Sequence, residues 1–223
     1  MVRFLTLLMS AAVLVSCGDC YHIEGRSSSS HFDGKMAYLR MLDEAGTVVD
    51  SSEIVHGTFK MSGNVDSVMM LMLYMDEACV APLVLEDGEL TVDISYADAT
   101  VSGTNLNDSL YSFLRRKKDY DYEFNRMDSE IARRVLDGDN YDLVKDEVGR
   151  ACDKLCSDYY GYIEDFITSN YDNVLSSGVF LLICRSTPEE VLPESFFSIL
   201  DDAPAAFREQ PALAGYFATY GGR

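Results

Sequence analysis

The 223-residue chain carries 37 Asp+Glu against 18 Lys+Arg, a formal net charge of −19, and a balance that negative repels nucleic acid and anionic lipid surfaces. Its hydrophobic content of 48% is that of a folded protein, so the acidity belongs to a surface and not to a disordered chain. The length suits one large domain or two of about 100 residues each.

The chain opens with one positive charge, Arg3, then the apolar run Phe4 to Val15, then Ser16-Cys17. This is the layout of a secretory signal, but it ends on a cysteine instead of an A-x-A-like site. Leu14-Val15-Ser16-Cys17 resembles the lipobox of bacterial lipoproteins, with a branched apolar residue three before the cysteine and a small residue just before it. That resemblance implies cleavage of residues 1–16, a diacylglycerol on the Cys17 sulfur and acylation of the new amine. The apolar run falls short of the ~20 residues of a membrane-spanning helix, so the membrane is expected as a partner through the N-terminal lipid alone. No acidic run follows Cys17 (the next residues are Gly18-Asp19-Cys20), which places the expected location at the periplasmic face of the outer membrane.

From Asp19 to Gly103 the sequence reads as short strands separated by turn residues. Tyr21 to Gly25 is the first, followed by the polar segment Arg26 to Ser30. Lys35 to Asp43 sets Met36, Tyr38 and Arg40 on one face and Ala37, Leu39 and Met41 on the other. Glu44-Ala45-Gly46 turns into Thr47 to Val55, and His56-Gly57 into Thr58 to Met61. Val68 to Met75 is apolar throughout, as expected of a strand covered on both faces. Cys79 to Glu86 and Glu89 to Tyr96 flank Asp87-Gly88, a strong hairpin signal, and Ala99 to Ser102 closes the series. Seven or eight strands at this spacing over residues 17–103 argue an antiparallel β-sandwich or barrel, of which the sandwich is the expected form, since parallel pairing needs crossovers for which there is no room.

After Gly103 the period changes to threes and fours. Leu106, Leu110, Phe113, Lys117, Tyr120, Phe124, Met127, Ile131 and Val135 form one stripe, with Asn105 or Asn107 as its cap. Asp137-Gly138-Asp139-Asn140 breaks it. Val148, Cys152, Leu155, Tyr159, Tyr162 and Phe166 form a second stripe, and so short a connection predicts a self-packed helical hairpin. Asn173 to Arg185 is apolar nearly all round and reads as a buried helix in which Gly178 permits close approach. Thr187-Pro188-Glu189-Glu190 starts a short helix, and Pro193 to Leu200 and Pro211 to Tyr220 read as two further short helices. The expected whole is α+β, with residues 104–223 a helical region packed on the sandwich.

Six cysteines stand at 17, 20, 79, 152, 156 and 184. With Cys17 lipidated, Cys20, Cys79, Cys152, Cys156 and Cys184 are an odd set for an exported chain. Cys152 and Cys156 fall four apart on a helix, where Cβ atoms lie about 5–6 Å apart, too far for the ~3.8 Å of a disulfide. They read as buried thiols.

Pieces of the sequence also resemble a family, the bacterial lipoprotein domain of unknown function DUF4369, usually found in front of a thioredoxin-like domain of the AhpC/TSA, TlpA type. The matching pieces are Tyr21-x-Ile23-x-Gly25, Gly34-Lys35-x-x-Tyr38-Leu39, Val49-Asp50-Ser51, Gly57-x-Phe59 and Gly63. Further on come Leu83-Val84-Leu85-Glu86-x-Gly88, Ser102-Gly103-Thr104-x-x-Asn107 and Phe166-Ile167-x-x-Asn170-x-Asp172-Asn173. The resemblance implies a sandwich followed by helices and no catalytic residue. It also implies a second role, accessory to thiol–disulfide exchange or peroxide defence. The thioredoxin-like part is expected to be missing, because the sequence holds no Trp and no C-x-x-C apart from Cys17-x-x-Cys20, whose first sulfur is the lipidation site.

No catalytic residue, metal site or cofactor is expected. His22, His31 and His56 have no partner at a diagnostic spacing. Asp137-x-Asp139 begins like a calcium loop, but Tyr141 and Asp142 stand where a ligand and the glycine belong, so a helix turn is expected. Arg115-Arg116-Lys117-Lys118, followed by Asp119, Asp121 and Glu123, reads as a solvated face balanced by pairs four apart. Tyr122 and Tyr160 fall off the packing stripes and offer an aromatic patch for a protein partner. The expectation is therefore a lipid-anchored envelope protein acting as a binding module.

Overall fold

A computed structural model describes residues 19–43, 45–188 and 191–220, and of Asp128 the backbone alone. Residues 1–16, Cys17, and the part of the expected 187–190 helix at residues 189 and 190 lie outside the described residues.

Eight strands form two four-stranded sheets and helices follow them, an α+β fold. The strands are β1 (Cys20–Ser27), β2 (Met36–Met41), β3 (Val48–Glu53), β4 (Thr58–Asn64), β5 (Met69–Met75), β6 (Ala78–Leu85), β7 (Gly88–Ile94) and β8 (Ala99–Ser102). One sheet runs β4-β1-β7-β8, the other β3-β2-β5-β6. In β1 the residues Tyr21, Ile23 and Gly25 face in, while His22, Glu24 and Arg26 face water. A slip of one residue would drive Glu24 into the core, which pins the register. Ile23, Phe59, Leu90 and Val92 from the first sheet join Leu39, Leu71, Leu73 and Leu83 from the second in one core.

Two expectations are corrected. The sandwich is not wholly antiparallel, because β1 and β7 pair in parallel from Tyr21↔Gly88 to Ser27↔Ile94. Their connection is the whole second sheet together with β4, so no crossover helix is needed. Nor is Asp87-Gly88 a hairpin turn. Gly88, at φ +128°, passes the chain from β6 in one sheet to β7 in the other, and the Asp87 carboxylate accepts from the Cys20 backbone N–H at 2.8 Å.

Of the helices that follow, α1 (Asn105–Leu136) packs against β6 and β8, α3 (Val174–Ser186) lies on β5, and α2 (Tyr141–Ser169) packs against both α1 and α3. β5 is buried on both sides, as its continuous apolar run predicts: Leu71, Leu73 and Met75 point into the sandwich and Met70 lies under Gly178 of α3. A Cβ at Gly178 would stand 2.2 Å from the Met70 sulfur, so this glycine sets how closely α3 approaches. α1 and α2 pack as an antiparallel hairpin through Phe113 on Phe166 (centroids 4.5 Å apart), Tyr120 on Tyr159 and Phe124 on Tyr159.

The cap of α1 is Thr104, not Asn105 or Asn107. Asn107 lies inside the first turn, fully buried, because the edge of β6 needs its amide: Oδ1 accepts from Val84 N–H and Nδ2 donates to Val84 C=O. Asn140 and Asn173 cap α2 and α3 through their side chains. A 3₁₀ turn covers Glu194–Leu200. The segment expected as one helix from Pro211 splits into a 3₁₀ turn (Pro211–Leu213) and α5 (Ala214–Tyr220), and sequence reading missed the short α4 (Ala205–Arg208).

Candidate functional site

The residues singled out in the sequence do not converge. His22 lies on the solvent face of β1, its Nδ1 3.7 Å from Glu89 Oε1. His31 Nε2 accepts from Lys35 Nζ at 3.1 Å, and His56 occupies a turn at φ +51°. The Asp137 and Asp139 carboxylates pair with Arg133 and Arg134 at 3.3 and 2.8 Å, so this segment is the turn of the helical hairpin. In the basic cluster, Arg116 pairs with Asp119, Lys117 with Asp121 and Lys118 with Asp98. Tyr122 is exposed, but Tyr160 is half buried and packs on Tyr159 and Phe196. These two tyrosines therefore form no common patch, because the 194–200 turn covers one of them.

The motif pieces prove to be structural. The Phe59 ring fills the space over Gly25, where a Cβ would come within 2.1 Å of it. The Tyr21 ring lies over Gly63 in the same way, and its hydroxyl reaches Asp50. Gly103, at φ +113°, passes against the Glu89 carbonyl, which a Cβ would approach to 2.2 Å. Each answers to packing or backbone shape.

The described cysteines are all free thiols. Burial pushes the Cys156 thiol up, and the neighbouring Cys152, which hydrogen-bonds it, adds to that. Cys79 is exposed on β6.

A different cluster lies on the outer face of the second sheet. The β2–β5 register sets Tyr38 opposite Tyr74 on the outer face of the sheet. The Arg40 guanidinium lies over both rings, its Cζ 5.2 Å from the Tyr38 centroid and 4.8 Å from that of Tyr74. Its Nε is buried with no hydrogen-bond partner. Burial, above all, raises the Tyr74 phenol, helped by a hydrogen bond with Cys79, while the charges of Arg40 and Arg185 act on it in the opposite sense. Arg185, at the end of α3, donates from one terminal nitrogen to the Leu42 carbonyl at 2.7 Å. Among the described residues, no ion pair includes Arg40 or Arg185.

Arg185 also lines an open groove of about 770 Å³ between the end of β2 and α5, with Met41, Leu42, Pro211, Tyr216 and Tyr220. Asp43 stands in the same groove. Its carboxylate is turned into its own loop by the Thr47 N–H (3.1 Å) and hydroxyl (2.8 Å), which hold it below the usual carboxylate range. The alternation of Tyr38 and Arg40 was visible in the sequence. The contact of Arg185 with the Leu42 carbonyl depends on tertiary packing and was not.

The fold is a β-sandwich followed by a helical hairpin and shorter helices. Residues 21–110 match the family model described as Domain of unknown function (DUF4369). That stretch is a DUF4369 domain, and its match ends within α1. None of the curated proteins matches the chain. The described residues after β8 hold helices and turns without a strand, so they do not build the sheet of a thioredoxin-like domain.

Proposed function

We propose that this chain is a lipid-anchored binding module of the Gram-negative cell envelope, held at the periplasmic face of the outer membrane through Cys17. The observation that carries the reading is the sequence Leu14-Val15-Ser16-Cys17 placed directly before the fold, with β1 beginning at Cys20. An acylated Cys17 leaves only Gly18 and Asp19 as a tether, so a sandwich anchored there works close to the membrane surface. Two or more acyl chains make such attachment stable. The binding role is supported by the open groove that Arg185 lines with Met41, Leu42, Pro211 and Tyr216. Cys156, whose thiol burial raises, forms less of the reactive thiolate that thiol–disulfide exchange needs.

Cell fractionation tests the anchor. Wild type is expected in the outer-membrane fraction and Cys17→Ala in the soluble or uncleaved pool, with the same far-UV circular dichroism for both. Recovery of wild type in the soluble periplasm would contradict the reading. Protease added to intact cells is expected to leave the protein uncut; digestion would overturn the periplasmic orientation.

A further inference from the structure

We infer that Cys152 and Cys156 form a two-coordinate thiolate site for a soft monovalent metal ion, Cu(I). Neither residue lines the groove at Arg185 or belongs to the anchor. The two lie four apart in α2, so their side chains leave the helix on one face, a turn apart. Both are free and half-buried, and the Cys152 thiol is in hydrogen-bonding contact with that of Cys156. Leu155 and Tyr159 on the same stretch of helix are buried, so the sulfurs stand where the packed hairpin meets solvent. The other described cysteines, Cys20 on β1, Cys79 on β6 and Cys184 on α3, belong to separate elements.

Geometry separates the two reactions open to a thiol pair. A disulfide needs sulfurs about 2 Å apart and Cβ atoms about 3.8 Å apart, whereas residues four apart on a helix hold their Cβ atoms about 5–6 Å apart. An intact α2 therefore keeps the two thiols from joining, even under oxidising conditions. A metal ion asks for less closure. With metal–thiolate bonds of about 2.3 Å, two sulfurs on opposite sides of one ion stand up to about 4.6 Å apart, a span open to sulfurs already in contact.

The number of donors then selects the ion. Structural zinc takes four ligands and calcium six to eight, and among the described residues no three His, Cys, Asp or Glu side chains are grouped to hold a metal. Cu(I) is selected by soft thiolates and is satisfied by two of them in a line. On binding, each thiol gives its proton to water and each sulfur forms one bond to copper. No electron is transferred, because the ion arrives as Cu(I).

The test is anaerobic titration of the full mature protein in detergent with Cu(I) supplied as its coloured bicinchoninate complex. The starting protein carries Cys20→Ser, Cys79→Ser and Cys184→Ser, which removes the other described thiols and breaks the Cys17-x-x-Cys20 pair. It is expected to draw about one Cu(I) per chain from the chelator, with X-ray absorption showing sulfur neighbours and no nitrogen or oxygen. Adding Cys152→Ser or Cys156→Ser should abolish that uptake while far-UV circular dichroism stays the same, and Zn(II) at equal concentration should not displace the copper. A second measurement needs no substitution: in the wild type, Cu(I) should protect Cys152 and Cys156 from alkylation, as mapped by mass spectrometry. Uptake that survives either added serine, is missing from the starting protein or yields to Zn(II) would overturn the site. So would alkylation of Cys152 and Cys156 that copper leaves unchanged.

Discussion

The Tyr21 hydroxyl donates a 2.6 Å hydrogen bond to the Asp50 carboxylate, and through it β1 of one sheet is fastened to β3 of the other. Tyr21 is itself buried in the core. Burial first, and then Asp50, raise its phenol well above the ordinary tyrosine value.

Alkaline stability follows from this pair. Burial likewise raises Tyr111, and it pushes Tyr159 up to about 12. The folded state holds these protons more tightly than the unfolded chain, whose tyrosines titrate near 10. Their contribution is therefore complete below about pH 10 and is lost as the pH rises through the folded values. Urea midpoints should be level from pH 7 to about 9.5 and fall above that. Tyr21→Phe should lower the midpoint at pH 8 by about 1–2 kcal/mol equivalent, since half-buried Asp50 regains water in its place, and should reduce the alkaline fall.

Asn107 gives the clearest single-residue stability test. Its amide serves the backbone N–H and C=O of Val84 at 2.9 and 2.7 Å and the Thr104 hydroxyl at 2.8 Å. Asn107→Ala leaves buried backbone groups unpaired, at about 1–3 kcal/mol each, so a loss of about 2–4 kcal/mol is expected by urea denaturation. Asn107→Asp should cost at least as much, because it keeps the acceptor, removes the donors and buries a charge.

The glycines divide by sign. Gly25→Ala puts a Cβ into the Phe59 ring and should destabilise by about 1–3 kcal/mol through overpacking, with Phe59→Leu added to it recovering part of the loss. Gly149→Ala and Gly161→Ala meet open space inside α2 and should stabilise by about 0.5–1 kcal/mol each through helix propensity. Thermal melts of the four variants decide both signs.

The sequence made the elements legible where a pattern was strong and local. The alternation in β1, the apolar run of β5 and the 3.6 period of α1 and α2 each appear where the pattern puts them. What stayed hidden depended on partners distant in the chain. Asp87-Gly88 carries a hairpin signal, but β7 finds its neighbour in β1, 67 residues before Asp87 in the contact from Cys20. Asn107 looked like a cap because a cap is a local role, whereas its partner Val84 lies 23 residues back. The contact of Arg185 with the Leu42 carbonyl has no local signal at all. It arises because the end of α3 returns to the end of β2, where Arg185 meets Leu42.

Thiol reactivity separates a binding module from a participant in thiol exchange. Native alkylation across pH should modify exposed Cys79 first and Cys156 late, because burial and Cys152 raise the Cys156 thiol. A described cysteine that titrates well below the ordinary value of about 8.5 would restore the thiol-exchange reading.

The central claim is the lipid on Cys17, and the mass of the mature N-terminus tests it most directly. The account predicts that the first residue of the mature protein is Cys17, carrying a diacylglycerol on sulfur and one acyl chain on nitrogen, so that the N-terminal peptide is recovered in the detergent phase with that added mass. A mature chain that begins elsewhere, or a peptide in which Cys17 is an unmodified thiol or is disulfide-bonded to Cys20, would contradict it.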